Sequence, residues 1–206
     1  DLIALTLVMG AVLTIVGLLF NDPILKAIGV PSEVFSEAST YLSIYFWSLI
    51  FVMVYNMGSG ILRSVGDSKR PLYFLIFSSV VNIILDFLFV KYFHFGVAGA
   101  GYATLIAQAI SAIMVMYVLM KTEDDYKVIL KEIGFDKEIL LKIIKIGLPT
   151  GFQQSIVSLS NVIVQSYINV YGASVIAGYS VTIKIDGFVN LPLQAFNMAI
   201  TTFVGQ

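Results

Sequence analysis

The chain has no cysteine and a single histidine, His94. Neither a disulfide framework nor a thiolate or histidine-cluster metal site can be built from it. Charge is scarce as well: Asp, Glu, Lys and Arg make up 12% of the residues, against about 25% in soluble domains. The two signs nearly cancel, leaving a formal net charge of −1 that says nothing of an acidic or basic partner. No phosphate-binding loop, zinc motif, nucleophile elbow or basic-aromatic patch occurs in the sequence. An enzyme or a nucleic-acid binder therefore has no residues to rest on. What the chain has instead is apolar side chains, 58% of the total, with a mean hydropathy of +0.92. That composition belongs to a membrane protein, in which the position of each Lys and Arg matters more than their sum.

A helix needs about 20 mainly apolar residues to cross the hydrocarbon core, and six segments qualify or nearly so. Leu2 to Phe20 carries no charge and is followed by Asn21, Asp22 and Pro23, which read as a turn. Tyr41 to Leu62 is uncharged up to Arg63, and Val97 to Met120 up to Lys121. Pro71 to Val90 is broken only by Asp86, with Pro71 suited to a first helical turn. Ile146 to Tyr171 is uncharged, with Gly172 as the expected C-cap, and the last segment runs from about Tyr179 to the chain end. Buried helices of a large soluble protein are the competing reading. Six nearly charge-free runs without an amphipathic face oppose it. The expected fold is an all-α membrane protein with six transmembrane helices. The chain opens on Asp1 rather than Met, shows no signal peptide and stops at Gln206 inside an apolar run, so it is read as part of a longer polypeptide.

Loop charges set the expected orientation. Arg63, Lys69 and Arg70 follow the second segment, and Lys121, Lys127, Lys131, Lys137, Lys142 and Lys145 follow the fourth. The intervening loops hold Lys26 alone, Lys91 alone, and no Lys or Arg. By the positive-inside rule the basic loops are cytoplasmic, which places Asp1 and Gln206 on the cytoplasmic side of a multi-pass protein of the cell membrane. Residues 121–145 form the one polar linker of any length. Ile129, Ile133, Ile139 and Ile143 give it an amphipathic character suited to the membrane surface. The expected organisation is thus residues 1–120 with four helices, linker 121–145, and residues 146–206 with two helices.

Asp86 is the most informative residue. A carboxylate deep in lipid costs roughly 2.5 to 3.5 kcal/mol on insertion scales, so it faces an ion or substrate path or a partner that desolvates with it. At about 1.5 Å per residue, Asp86 lies past the midplane toward the outside, with Asn82 one turn lower on the same face. Thr104 of the descending fourth helix reaches a similar depth. Carboxylate, carboxamide and hydroxyl oxygens are hard ligands, suited to Na⁺ or to a proton relay. For Asn82 and Thr104 the plain alternative is interhelical hydrogen bonding. Tyr41 is placed at the outer start of the second helix, and Asn56 two to three turns below the others.

Three stretches stand out: Gly60-Ile-Leu-Arg63-Ser-Val-Gly66-Asp67-Ser-Lys69-Arg-Pro71, Asn82-Ile-Ile-Leu-Asp86 and Gly96-Val-Ala-Gly99-Ala-Gly101-Tyr-Ala-Thr104. In this order they resemble the multidrug and toxic compound extrusion (MATE) transporters, in particular their archaeal and DinF-like members. Ile146-Gly147-Leu-Pro149 and Phe203-Val-Gly205-Gln206 extend the likeness over nearly the whole chain. The resemblance implies twelve helices in two lobes, of which this chain holds helices three to eight. It implies a cation-responsive network at Tyr41, Asn56, Asn82, Asp86 and Thr104, with a further aspartate on a helix this sequence does not contain. It also implies antiport of Na⁺ or H⁺ against amphiphilic, often cationic, drugs by rocking lobes. The partners would be the lipid bilayer and drug molecules, acting on a monomer with no cofactor beyond the coupling ion. A substrate cavity between lobes would be lined by Phe46, Met53, Met57, Phe152 and Met198, with Gln153 and Gln154 as further candidates; each of these also suits packing or a lipid contact.

Other features have plainer readings. Gly99-Ala100-Gly101 begins like a dinucleotide fingerprint, but no strand precedes it and Thr104 stands at the third glycine position, so close helix packing explains it. Asp67 reads as a turn or cap residue. Lys184 and Asp186, two apart, face different sides of a helix. The rival function is a lipid-linked oligosaccharide or peptidoglycan-precursor flippase. It calls for several cationic side chains in a cavity, where this chain offers Lys184 alone within a span. A channel-like or purely structural subunit has no use for Asp86.

Overall fold

The computed structural model describes residues 2–27, 30, 32–124, 126–129, 134, 136–169 and 173–205. Its helices are α1 (Leu2–Ala27), α2 (Ser32–Ser64), α3 (Lys69–Asp86), α4 (Gly96–Lys121), α5 (Lys137–Asn169) and α6 (Ala173–Gly205), and a π-helical turn, Phe87–Tyr92, continues α3. The chain is all-α. Among the described residues four helices are both long and apolar enough to cross a bilayer: α1, α2, α3 with its π turn, and α4. α5 and α6, at 33 residues each, also have the length and carry more polar side chains, among them Gln153, Gln154, Asn161, Lys184, Asp186 and Asn190.

The chain divides into two compact units, Asp1–Phe135 and Asp136–Gln206. In the first, α2 packs on α1 and on α4, and α3 packs chiefly on α4. The α1–α2 contact is a seam of mainly small and polar residues: Ala4, Thr6, Gly10, Thr14, Gly17, Asn21 and Leu25 are the buried positions of α1, spaced three or four apart from Thr6 onward. In lipid there is no hydrophobic drive between helices, so close backbone approach and interhelical hydrogen bonds hold them. Gly17 shows this directly, because a Cβ there would overlap the Phe46 ring of α2. Thr14 Oγ1 donates to the Phe46 carbonyl at 3.0 Å. The core of the unit is Tyr55, Leu62, Phe74, Ala112, Val115 and Leu119, contributed by α2, α3 and α4. In the second unit α5 and α6 pack on each other, with large apolar side chains such as Phe188 and Phe196 exposed.

The ends of the helices depart from the sequence-based expectations. α1 does not stop at Phe20 but continues through Pro23 to Ala27. The Asn21 amide there is taken up by α2 rather than by a turn of its own chain, and Leu25 is buried. α2 begins at Ser32, so Tyr41 lies in its third turn rather than opening it. α5 begins at Lys137 and takes in Ile139 and Ile143, which join the helix instead of forming a separate surface segment. α6 begins at Ala173, ahead of Tyr179. Each helix is longer than its charge-free run, since hydropathy marks the part suited to lipid while backbone hydrogen bonding continues into polar sequence. Asp1, Lys131, Ile133, Gly172 and Gln206 lie outside the described residues.

Between α2 and α3 the chain turns on two adjacent residues. Gly66 has φ +88°, its N–H reaches the Arg63 carbonyl at 3.0 Å, and the Asp67 N–H reaches the Leu62 carbonyl at 2.9 Å. This pair of bonds is a Schellman stop with glycine in the left-handed position. Asp67 Oδ1 then accepts the Arg70 backbone N–H at 3.1 Å, which caps α3 as the sequence indicated.

Candidate functional site

The buried positions of α3 are Pro71, Phe74 and Ser78, and the stripe continues through half-buried Asn82 and Asp86. Because α3 packs chiefly on α4, this stripe is its α4-facing side. Asn82 and Asp86 are four residues apart, about 6 Å along the axis. Two atoms of the pair, Asn82 Nδ2 and Asp86 Oδ1, are buried without a hydrogen-bond partner. A buried donor or acceptor left unpaired costs about 1–3 kcal/mol, more when charged. One turn of α3 thus presents an unmatched carboxylate oxygen, which a cation or a proton would satisfy, and beside it an unmatched amide donor, which calls for an acceptor.

The backbone changes character at the same point. Asp86 is the last α-helical residue, and Phe87–Tyr92 winds as a π-helix, a wider turn often found at functional positions. The Phe93 N–H bonds the Leu88 carbonyl at 3.0 Å and the Phe95 N–H bonds the Phe89 carbonyl at 3.0 Å. Phe93 and Phe95 stack with centroids 5.7 Å apart, and Phe89 lies 6.0 Å from Phe95. α4 then starts against this aromatic knot: a Cβ on Gly99 would meet Phe89 and Phe95 at 3.1 Å, and one on Gly101 would meet Ile44 at 3.2 Å. The glycines of this stretch serve close packing.

The remaining candidates fall as follows. Thr104, on α4, is half-buried, and its hydroxyl donates to the Ala100 carbonyl at 3.0 Å, leaving its lone pairs open. Asn56 is exposed on α2, and Tyr41 is 37% exposed. Among the described residues no hydrogen bond ties either side chain to the Asn82–Asp86 pair. Phe46 is partly buried, its ring filling the notch at Gly17, and Met53 and Met57 are half-buried on α2. Phe152, Gln153 and Gln154 on α5 and Met198 on α6 are exposed in the second unit.

Sequence reasoning missed one polar node. Asn21, 5% exposed, directs its Nδ2 to Ser39 and Ser43 of α2, and Ser39 Oγ bonds Asp22 Oδ1 at 3.0 Å. The signal was the polar Asn-Asp pair ending an apolar run, which a turn accounts for equally well.

Comparison with known proteins settles the family. The MatE family profile matches residues 2–88 and 149–206. The chain belongs to the MatE family. A probable multidrug resistance protein of Bacillus subtilis (strain 168), YoeA, is 32% identical over 208 residues, covering 98% of this chain and 45% of that protein. The multidrug export protein MepA of Staphylococcus aureus (strain MRSA252) is 27% identical over 199 residues, 92% of this chain and 44% of that one. Among solved structures, a MOP superfamily transporter from Pyrococcus furiosus Vc1 superposes with a TM-score of 0.87 at 28% identity, over 97% of this chain and 45% of that chain. This MatE chain therefore spans about half the length of the relatives it matches. The MatE match carries with it a multi-pass membrane setting and a transporter family.

Proposed function

We propose that this chain is the portion of a multidrug efflux transporter that holds its cation-coupling site, with Asp86 as the titrating or ligating carboxylate, Asn82 beside it and Thr104 on the facing helix. The protein would exchange Na⁺ or H⁺ for amphiphilic, often cationic, drugs. Residues 1–120 and 146–206 would belong to different lobes joined by linker 121–145. The observation that carries the reading is the buried, unpartnered Asp86 Oδ1. A carboxylate oxygen is expensive in an apolar helix when it has no partner and less so when a cation or proton completes it. A ligand that binds one conformation better shifts the balance by its differential affinity. Loading Asp86 therefore favours whichever arrangement of the helices holds the carboxyl driest, and unloading it favours the other. Tyr41 and Asn56 belong to the same proposal as side chains that a rearrangement of α2 would bring toward the pair.

The test is efflux by the full-length protein in energised vesicles, comparing wild type with Asp86→Asn while sodium and pH are varied separately. We expect the substitution to lower efflux by about tenfold or more, a change of about 1.4 kcal/mol or more in barrier, and to flatten the dependence on whichever cation drives it. Unchanged efflux with unchanged cation dependence would show that Asp86 has no part in coupling.

A further inference from the structure

The first unit holds a pocket of about 510 Å³ that includes neither Asn82 nor Asp86. Its polar wall is Ser39, Thr40 and Ser43 of α2, and its aromatic sides are Trp47 of α2 and Tyr102 of α4. Ile44 and Leu105 complete the lining, which contains no Asp, Glu, Lys, Arg or His. The volume lies in the range that holds small organic molecules.

Hydrogen-bond direction gives the polar wall its specificity. Asn21 Nδ2 lies 2.9 Å from the Ser39 backbone carbonyl, 3.1 Å from Ser39 Oγ and 2.6 Å from Ser43 Oγ. A carbonyl oxygen only accepts, so the Ser39 carbonyl decides which end of the buried Asn21 amide faces α2. The nitrogen has two protons. One goes to that carbonyl and the other points at Ser43 Oγ, the shortest of the three contacts. Ser43 is therefore an acceptor from Asn21, and its own proton must leave in another direction. The Ser39 proton goes to Asp22 Oδ1 at 3.0 Å and the Thr40 proton to the Ser36 carbonyl at 2.9 Å. Among the described residues the Ser43 proton has no acceptor. Within the Ser39–Thr40–Ser43 wall the free donor is the Ser43 hydroxyl, three residues along the helix from the lone pairs of Thr40 Oγ1; the Trp47 indole N–H and the Tyr102 hydroxyl bring two further polar groups to the pocket, and no charge lines it.

We propose that this pocket binds a neutral aromatic amide. Its ring lies against Trp47 and Tyr102, its carbonyl accepts from the Ser43 hydroxyl, and its N–H donates to Thr40 Oγ1. Asn21 acts as a positioning residue that holds the Ser43 hydroxyl as a donor toward the pocket. The site goes beyond the efflux reading and is tested by binding rather than by transport, so the two stand or fall separately.

Trp47 is the only tryptophan of this chain, so the difference in fluorescence between the full-length protein and its Trp47→Phe form reports on this pocket. Benzanilide is titrated into the detergent-solubilised full-length protein. We expect a saturable change in that difference. Ser43→Ala and Thr40→Val should each weaken binding roughly three- to tenfold, the worth of one hydrogen bond, and Ser43→Thr, which keeps the hydroxyl, should restore most of it. Asn21→Leu should weaken binding by a similar factor without touching the lining, with thermal unfolding of each variant confirming that it is folded. Benzoate and benzylammonium should bind more weakly than benzanilide. The proposal is overturned by a difference signal that does not saturate, by Ser43→Ala binding as well as wild type, or by the charged analogues binding equally well.

Discussion

Asn82 carries a donor with no acceptor inside a helix whose neighbours along the chain are Val81, Ile83, Ile84 and Leu85. Had it served only to join helices, its replacement by an apolar residue would cost a hydrogen bond, but here there is none to lose. Asn82→Leu should therefore leave stability unchanged or raise it by about 1 kcal/mol, the relief of an unsatisfied buried group. The same variant should lose cation-dependent efflux. Thermal unfolding of the full-length protein, read beside vesicle transport, checks both halves; a destabilised variant with normal transport would make Asn82 structural. Asp86 and Asn82 were legible in the sequence because a polar atom in a long apolar run has few inexpensive explanations. Asn21 was not, because an asparagine followed by Asp-Pro reads equally well as the end of a helix. Only the packing of α1 on α2 shows its amide committed to Ser39 and Ser43.

At the scale of elements, the α2–α3 turn has the most direct sequence logic. Gly66 takes a left-handed conformation, and the next residue, Asp67, caps the following helix. Gly66→Ala should destabilise the first unit by about 1 kcal/mol, measured as a lower unfolding midpoint with unchanged helix content by circular dichroism. The centres of α3 and α4 were equally legible, since their apolar runs are bounded by charges. The π turn after Asp86 was not: Phe-Leu-Phe-Val-Lys-Tyr is compatible with α or π winding, and the aromatic stack of Phe89, Phe93 and Phe95 with Gly99 becomes visible only in three dimensions. After α4 the chain folds back, with the Val128 N–H on the Leu119 carbonyl at 2.8 Å. In this segment hydrogen bonds from Thr122 and then Tyr126, helped by the nearby Arg70 charge, hold the Asp124 carboxyl below the usual carboxylate range. A lowered folded-state value stabilises the protein above the ordinary value, near 3.9, and that contribution disappears as pH falls through the lowered one. Asp124→Asn should accordingly lower the unfolding midpoint slightly at neutral pH, and the difference should shrink as acid takes the pH down through the lowered value. A gap between the two proteins that persists in acid would show that the carboxylate charge is not its source.

For the whole molecule, the arrangement of charge along the chain makes a claim about sidedness that the helices allow to be tested. α3 and its π turn run from Lys69 to Tyr92, 24 residues, about 35 Å at helical rise, enough to cross the hydrocarbon core. A crossing by α3 would put the Gly66-Asp67-Ser68 turn and the His94 turn on opposite faces of the membrane. The first is flanked by Arg63, Lys69 and Arg70, the second by Lys91 alone, so by the positive-inside rule we propose that the first is the cytoplasmic one. Because this chain has no cysteine of its own, Ser68→Cys and His94→Cys can be introduced singly into the full-length protein, with cysteines elsewhere replaced. A membrane-impermeant maleimide should label Ser68→Cys in inside-out vesicles and His94→Cys in right-side-out ones. Labelling of both from one side would break the assignment of α3 as a span; labelling with the two sides exchanged would keep the span and invert the orientation. In the inverted case the Asp86 end of α3 would face the cytoplasm, and a cation driven inward would reach the carboxylate at the end of its path rather than at the beginning.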